Sequence, residues 1–143
     1  MAEIKIVFWS STGNTAQMAA LIAQGVGEAG KTAKVIPISD ITPADLAADD
    51  VFALGCSAMG AEELDPGEVA PFVDELLPMV SGKKVLLFGS YGWGDGEWMR
   101  TWEEQMAGAG AILVGGEGCI ANESPAGEDA DNCVAAGKAL AEA

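Results

Sequence analysis

The apolar positions of this chain repeat with two different periods, and the period changes where the elements change. Residues 4–9 (IKIVFW) are a mostly apolar run, short enough for a strand. After a polar loop the period lengthens. Met18, Ile22 and Val26 recur every four positions, which predicts a helix over 14–29, and Gly30 supplies its stop. Residues 33–38 predict a second strand, closed by the turn-like Ser39-Asp40 and Thr42-Pro43. Residues 50–56 (DVFALGC) predict a third strand, short and apolar as expected when both faces are covered.

A second loop spans 57–66, and the helix after it carries Phe72, Leu76 and Val80 on one side. Residues 84–89 predict the fourth strand, followed by the glycine-rich loop 90–96. Residues 97–107 predict a helix with Trp98, Trp102 and Met106 at four-residue spacing. A fifth strand begins over 111–114 and resumes towards Ile120. Ser124-Pro125 predicts the start of the last helix, with the serine as cap and the proline at the first helical position. Five strands alternating with four or five helices predict an α/β fold, a doubly wound parallel sheet with helices on both faces. No repeat, linker or low-complexity tract interrupts it, so residues 1–143 are expected to form a single domain.

Composition narrows the function. Half of the residues are hydrophobic, enough for a sizeable core. No apolar run approaches the ~20 residues of a membrane span, and no signal-peptide pattern opens the chain, so a cytoplasmic location is expected. Seven bases against twenty-two acids give a net charge of −15, which opposes binding to nucleic acid or to an anionic membrane. Ten of the acids, and no base, lie between Lys34 and Lys83. That stretch is either a solvated face or a docking surface for basic partners. Three cysteines without CxxC spacing, and no histidine, leave no usual zinc or haem site and no Ser-His-Asp or Cys-His arrangement. The thiols are read as small buried hydrophobes.

Ligands in such sheets bind outside the carboxyl ends of the strands, where the strand order reverses. Three loops leave strand ends with unusual composition. In Ser10-Ser11-Thr12-Gly13-Asn14-Thr15, hydroxyls and helix-start N–H groups can donate to phosphate, and Gly13 allows close approach. The same residue types also suit an ordinary polar turn and cap. The second loop sets the polarizable Met59 beside Gly60, a pairing that also fits a core methionine next to a turn glycine. In the third, Trp93 is framed by Gly92 and Gly94, a large aromatic with little around it except a planar ligand to stack on. Their coincidence at strand ends one, three and four is the stronger signal.

The pieces WSSTGNT (9–15), GCSAMG (55–60) and SYGWGDGEWM (90–99) resemble the flavodoxins, specifically the short-chain clostridial type, and the resemblance covers nearly the whole chain. It implies a flavodoxin-like five-stranded sheet in the order 2-1-3-4-5, binding one FMN noncovalently. It also implies that Ser10, Ser11, Thr12, Gly13, Asn14 and Thr15 wrap the phosphate, with Ser57 and Ala58 near the ribityl chain. By the same resemblance Met59 and Trp93 flank the isoalloxazine ring. Backbone groups of Gly60, Ala61, Gly92 and Cys119 reach its polar edge, Glu62 bonds its N3–H, and Ser90, Tyr91 and Gly94 complete the third loop. Two positions depart from the family pattern: Ser11 stands where glycine is frequent, and Ala61 where a polar residue is.

The function implied is a low-potential one-electron carrier, not an enzyme, shuttling FMN between semiquinone and hydroquinone. Its implied partners are basic redox enzymes that dock transiently on the acidic face of a monomer. A phosphatase loop would need a cysteine followed by arginine, and a response regulator an aspartate ending the third strand; neither is present. A quinone-reducing flavin enzyme on the same fold stays open, and turnover of a quinone with NADH or NADPH alone would distinguish it.

Overall fold

Successive strand residues point to opposite faces, so a strand that is apolar throughout must be covered twice. The computed structural model, which describes residues 3–10, 13–58, 64–92 and 96–143, shows how this chain does so. Its strands are β1 (Ile4–Trp9), β2 (Ala33–Pro37), β3 (Val51–Cys56), β4 (Lys84–Tyr91), β5 (Ile112–Leu113) and β6 (Cys119–Asn122). Its helices are α1 (Asn14–Glu28), α2 (Pro43–Ala47), α3 (Val69–Leu76), α4 (Glu97–Gly108) and α5 (Glu128–Glu142). All strand pairs are parallel, in the order β2-β1-β3-β4-β5, with β6 also paired to β4.

Alternation divides the core in two. Phe52, Leu54, Cys56, Val85 and Leu87 pack with α3 and α4 on one face, where Phe72, Leu76, Trp98, Trp102 and Met106 are buried. Ala53, Leu86 and Phe88 face the other side and pack with Met18, Ile22 and Val26 of α1 and Leu140 of α5. Fully buried side chains such as Phe52 and Leu54 each contribute about 1.5–3 kcal/mol by leaving water. Gly55 is paired with Phe88, and a Cβ there would overlap the Phe88 ring. The α1 stop is as expected: Gly30 has φ 87°, and the Lys31 N–H donates to the Val26 carbonyl at 3.2 Å.

Several boundaries differ from the sequence expectation. Strand β2 ends at Pro37, and Ile38 opens a 3-10 turn (Ile38–Asp40). Thr42-Pro43, read as a turn, starts the short helix α2: the Asp45 N–H donates to Thr42 Oγ1 at 3.2 Å, and Pro43 loses no needed donor there. The fifth strand breaks and resumes as expected, and its two pieces pair with different parts of β4. Gly115 and Gly116 turn the chain out at φ 80° and 83°, so β5 pairs with Lys84 and Val85 while β6 pairs with residues 88–91. The Glu103 carboxylate accepts the Gly118 N–H inside that detour.

The last helix does not begin at Ser124-Pro125. Pro125 is buried, and the Ser124 hydroxyl donates to Gln17 Oε1 of α1 at 3.1 Å. That segment closes the sheet end against α1, and α5 starts only after Gly127. Glu128, Asp129 and Asp131 in its first turn complement the helix dipole.

Candidate functional site

Parallel register brings the strand ends to one edge. Trp9 is paired with Cys56, and Tyr91 with Asn122, so the chain leaves β1, β3, β4 and β6 on the same side of the molecule. Here lies a groove of about 400 Å³, within the usual size of a small-molecule site. Among the described residues, Asn14, Ser57, Ala58 and Ser90 line one part of it, and Tyr91, Gly92, Glu123 and Ser124 another. A groove of about 440 Å³ at the opposite sheet end, around Ile4 and Val51, has no glycine-rich or hydroxyl-rich loop beside it.

The groove rests on a buried chain of hydroxyls. Thr15 Oγ1 and Ser57 Oγ lie 2.7 Å apart, and Thr15 Oγ1 also accepts the Ser90 N–H at 3.2 Å. The Ser90 carbonyl accepts the Ala58 N–H at 3.0 Å, while the Ser90 hydroxyl donates to the Glu123 carbonyl at 2.6 Å. Thr15, Ser57 and Ser90 are all buried. The ends of β3, β4 and β6 are thereby tied to α1 through buried side chains. Buried hydroxyls need such partners, because an unsatisfied one costs about 1–3 kcal/mol.

The amino end of α1 faces the same edge. Gly13 caps the helix with φ 94°, a conformation glycine adopts without cost, and its N–H donates to Ser10 Oγ at 2.9 Å. Among the described residues no side chain caps α1 and no acid lies in its first turn, so its opening N–H groups can donate to an anion. Among the described residues, a Cβ at Gly13 would meet no atom within 4 Å. Gly92 is equally uncovered. A phosphate-bearing ligand therefore fits the described residues: neutral donors at one end, a groove beyond.

Tyr91 is positioned from below. Its ring lies 5.6 Å from that of Trp98, and the Trp98 indole N–H donates to the Cys56 carbonyl at 3.2 Å. A Cβ at Gly89 would overlap that carbonyl oxygen, so glycine lets β3, β4 and α4 converge under the groove.

Of the predicted site residues, Ser10, Gly13, Asn14, Thr15, Ser57, Ala58, Ser90, Tyr91 and Gly92 are brought together at this edge. Ser11, Thr12, Met59, Gly60, Ala61, Glu62, Trp93 and Gly94 lie outside the described residues. Cys119 is not brought to the groove. It opens β6 opposite Phe88, three pairs short of the sheet edge, and its thiol meets Cys133. Glu123 and Ser124, which do line the groove, were missed by the sequence reading. The rule that selected the other loops applies to them too, but Ser124 is read as the cap of the last helix. Glu123 has φ 58°, rare for a side-chain-bearing residue. It is held there by the Ser90 hydroxyl and by its own N–H donating to the Tyr91 carbonyl at 2.7 Å.

Cys56, at the end of β3, is fully buried, and burial pushes its thiol up from 9.0 to about 12. The unfolded chain therefore releases this proton first as pH rises. The stability it carries is whole below pH 9.0 and is lost between there and about 12. The slope reaches about 1.4 kcal/mol per pH unit. Urea unfolding at pH 9 to 11 should show that decline in the parent protein and a shallower one in Cys56→Ala.

Comparison with known proteins agrees with this geometry. The sequence model of the flavodoxin family matches residues 6–137. The flavodoxin of Clostridium beijerinckii is 49% identical over 138 residues, 96% of this chain and 99% of the relative. That of Megasphaera elsdenii is 45% identical over 140 residues, 98% of this chain and 99% of the relative. The solution structure of two-electron reduced Megasphaera elsdenii flavodoxin superposes with a TM-score of 0.90 at 44% identity, covering 98% of this chain and 99% of that one. Strand order, a hydroxyl-lined groove at the strand ends and near-full-length similarity converge on one conclusion: the chain belongs to the flavodoxin family, FMN-binding electron carriers that perform no enzymatic turnover of their own.

Proposed function

We propose that residues 1–143 act as one domain that carries single electrons at low potential between redox enzymes, on an FMN seated in the strand-end groove. The observation that carries this reading is the buried Thr15–Ser57–Ser90 relay beside the uncapped amino end of α1. Bound FMN supplies what these side chains lack, the uptake and release of electrons one at a time. The chain supplies binding and environment. Ser10, Ser11, Thr12, Gly13, Asn14 and Thr15 hold the phosphate with hydroxyl and N–H donors. Ser57 and Ala58 receive the ribityl chain, and Met59 and Trp93 cover the ring faces. Gly60, Ala61, Glu62, Ser90, Tyr91, Gly92 and Gly94 surround the ring's edge, with Glu123 and Ser124 as the far wall of the groove.

The acidic stretch between Lys34 and Lys83 divides by use. Asp49 pairs with Lys5 at 3.1 Å and Asp50 with Lys83 at 3.4 Å, while buried Asp65 accepts the Glu68 and Val69 N–H groups at the start of α3. Asp40, Asp45, Glu68, Asp74 and Glu75 are exposed and carry their charge into solvent. These acids suit a transient dock for basic redox enzymes, and the net charge of −15 repels nucleic acid and a second copy of the chain. Among the described residues no helix is long and apolar enough to cross a membrane. A monomer working in the cytoplasm follows from this reading.

One experiment tests it. Cofactor-free protein is titrated with FMN, and the loaded protein is offered to a reductase and an acceptor enzyme at rising salt. The expected result is one FMN per chain, electron delivery only through the reductase, and rates that fall with ionic strength. A protein that ignores FMN would overturn the assignment. Quinone turnover with NADPH alone would replace the carrier with an enzyme.

A further inference from the structure

Two cysteines that the groove does not use lie against each other. Cys119 opens β6, Cys133 sits near the start of α5, and their Sγ atoms are 3.6 Å apart. Cys133 is fully buried, whereas Cys119 is partly exposed. The third thiol, Cys56, is buried at the end of β3, and its S–H donates to the Ser57 carbonyl at 3.2 Å. One thiol of the pair can therefore meet a small oxidant while the other waits behind it.

We propose that Cys119 and Cys133 are a peroxide-sensitive dithiol, oxidised to an intramolecular disulfide that joins β6 to α5. In the first step the Cys119 sulfur attacks hydrogen peroxide. An S–O bond forms, the O–O bond breaks, and the departing hydroxide takes a proton and leaves as water. In the second step the Cys133 sulfur attacks the Cys119 sulfenic acid. The S–S bond forms, the S–O bond breaks, and the Cys133 proton leaves with the hydroxide as a second water. Two electrons pass from the sulfurs to the peroxide oxygens.

The order of the roles follows from exposure, since Cys119 is partly exposed and Cys133 fully buried. The Cys119 and Cys133 sulfurs share one S–H···S contact, which holds the Cys119 thiol below the ordinary value and pushes the Cys133 thiol up. Asp129 lies near both and opposes their ionisation. The sulfurs are in contact already, and a bond of about 2.0 Å needs an approach of roughly 1.6 Å. The loop so closed contains Glu123 and Ser124 of the groove wall, so oxidation ties that wall to the helix packed on α1.

The test is peptide mapping of the FMN-loaded protein after stoichiometric hydrogen peroxide, without reductant. The expected result is a Cys119–Cys133 linked peptide, about 2 Da lighter than its two thiol parts. Free thiols should fall from three to one, with Cys56 intact, and dithiothreitol should restore all three. In Cys133→Ala, Cys119 should advance to sulfinic acid; in Cys119→Ala, Cys133 should stay unmodified. Intact thiols after peroxide, sulfinic acid on Cys119 of the parent without a link, a link between two molecules, or a link through Cys56 would each overturn the proposal. Mapping of the parent decides even if a variant fails to fold.

Discussion

Thr15→Val should weaken FMN binding by about ten- to a hundredfold and destabilise the cofactor-free protein by about 2–4 kcal/mol. Valine keeps the shape of threonine and removes one oxygen. That oxygen is fully buried, accepts the Ser90 N–H and partners the Ser57 hydroxyl, so two buried polar groups lose their partner at once. Each such group left unsatisfied costs about 1–3 kcal/mol. The affinity loss has a second source, because the relay aligns the amino end of α1 with the ends of β3 and β4. Fluorescence quenching of FMN measures the first effect, and urea unfolding of the cofactor-free protein the second. Thr15→Ser keeps the oxygen and should stay close to the parent in both. If Thr15→Val matched the parent in affinity and stability, the relay would be incidental.

Gly137→Val should cost about 3 kcal/mol or more and lower the melting temperature by roughly 10 °C. Helices α1 and α5 touch backbone to backbone at this point. A Cβ at Gly137 would overlap the Ile22 carbonyl oxygen and lie 3.1 Å from the Gly25 Cα; a Cβ at Gly25 would overlap the Val134 carbonyl oxygen. Backbone cannot rotate aside as a side chain can. The helices would have to separate, opening the face where Met18, Ile22 and Leu140 are buried. Gly27→Ala on α1 is the contrasting case. It is exposed, its Cβ would meet nothing within 4 Å, and alanine is the better helix former, so it should stabilise by about 0.5–1 kcal/mol. Thermal unfolding of the two variants should move in opposite directions. A Gly137→Val protein melting with the parent would show that the helices can part without loss.

Much of this fold was legible because its strands and helices are written as unbroken periods. The run 4–9 and the four-residue spacing of Met18, Ile22 and Val26 contain their own instructions, and β1 and α1 form where they are expected. The three loops stood out by their coincidence at three strand ends, since each alone also suits an ordinary turn. Misreadings fall where local signals compete. Ser124-Pro125 has the composition of a helix start, yet the serine hydroxyl bonds Gln17, far away in sequence, and the proline is buried. Ser90 and Tyr91 looked like loop but continue β4, because β6 arrives to pair with them. Cys119 was assigned to the groove on resemblance alone, and the register of β6 against Phe88 keeps it three pairs short of the edge.

Composition and periodicity thus determine the fold class, the two-sided burial of β3 and β4 and the identity of the loops, since these depend on residues that are neighbours in the chain. Tertiary packing decides which distant groups meet. Thr15 finds Ser57 and Ser90, forty-two and seventy-five residues away, and Cys119 finds Cys133 only because β6 and α5 fold back on each other. No local pattern records such meetings, because a hydrogen bond or a thiol contact between separate elements is set by the register of the sheet and the crossing of helices.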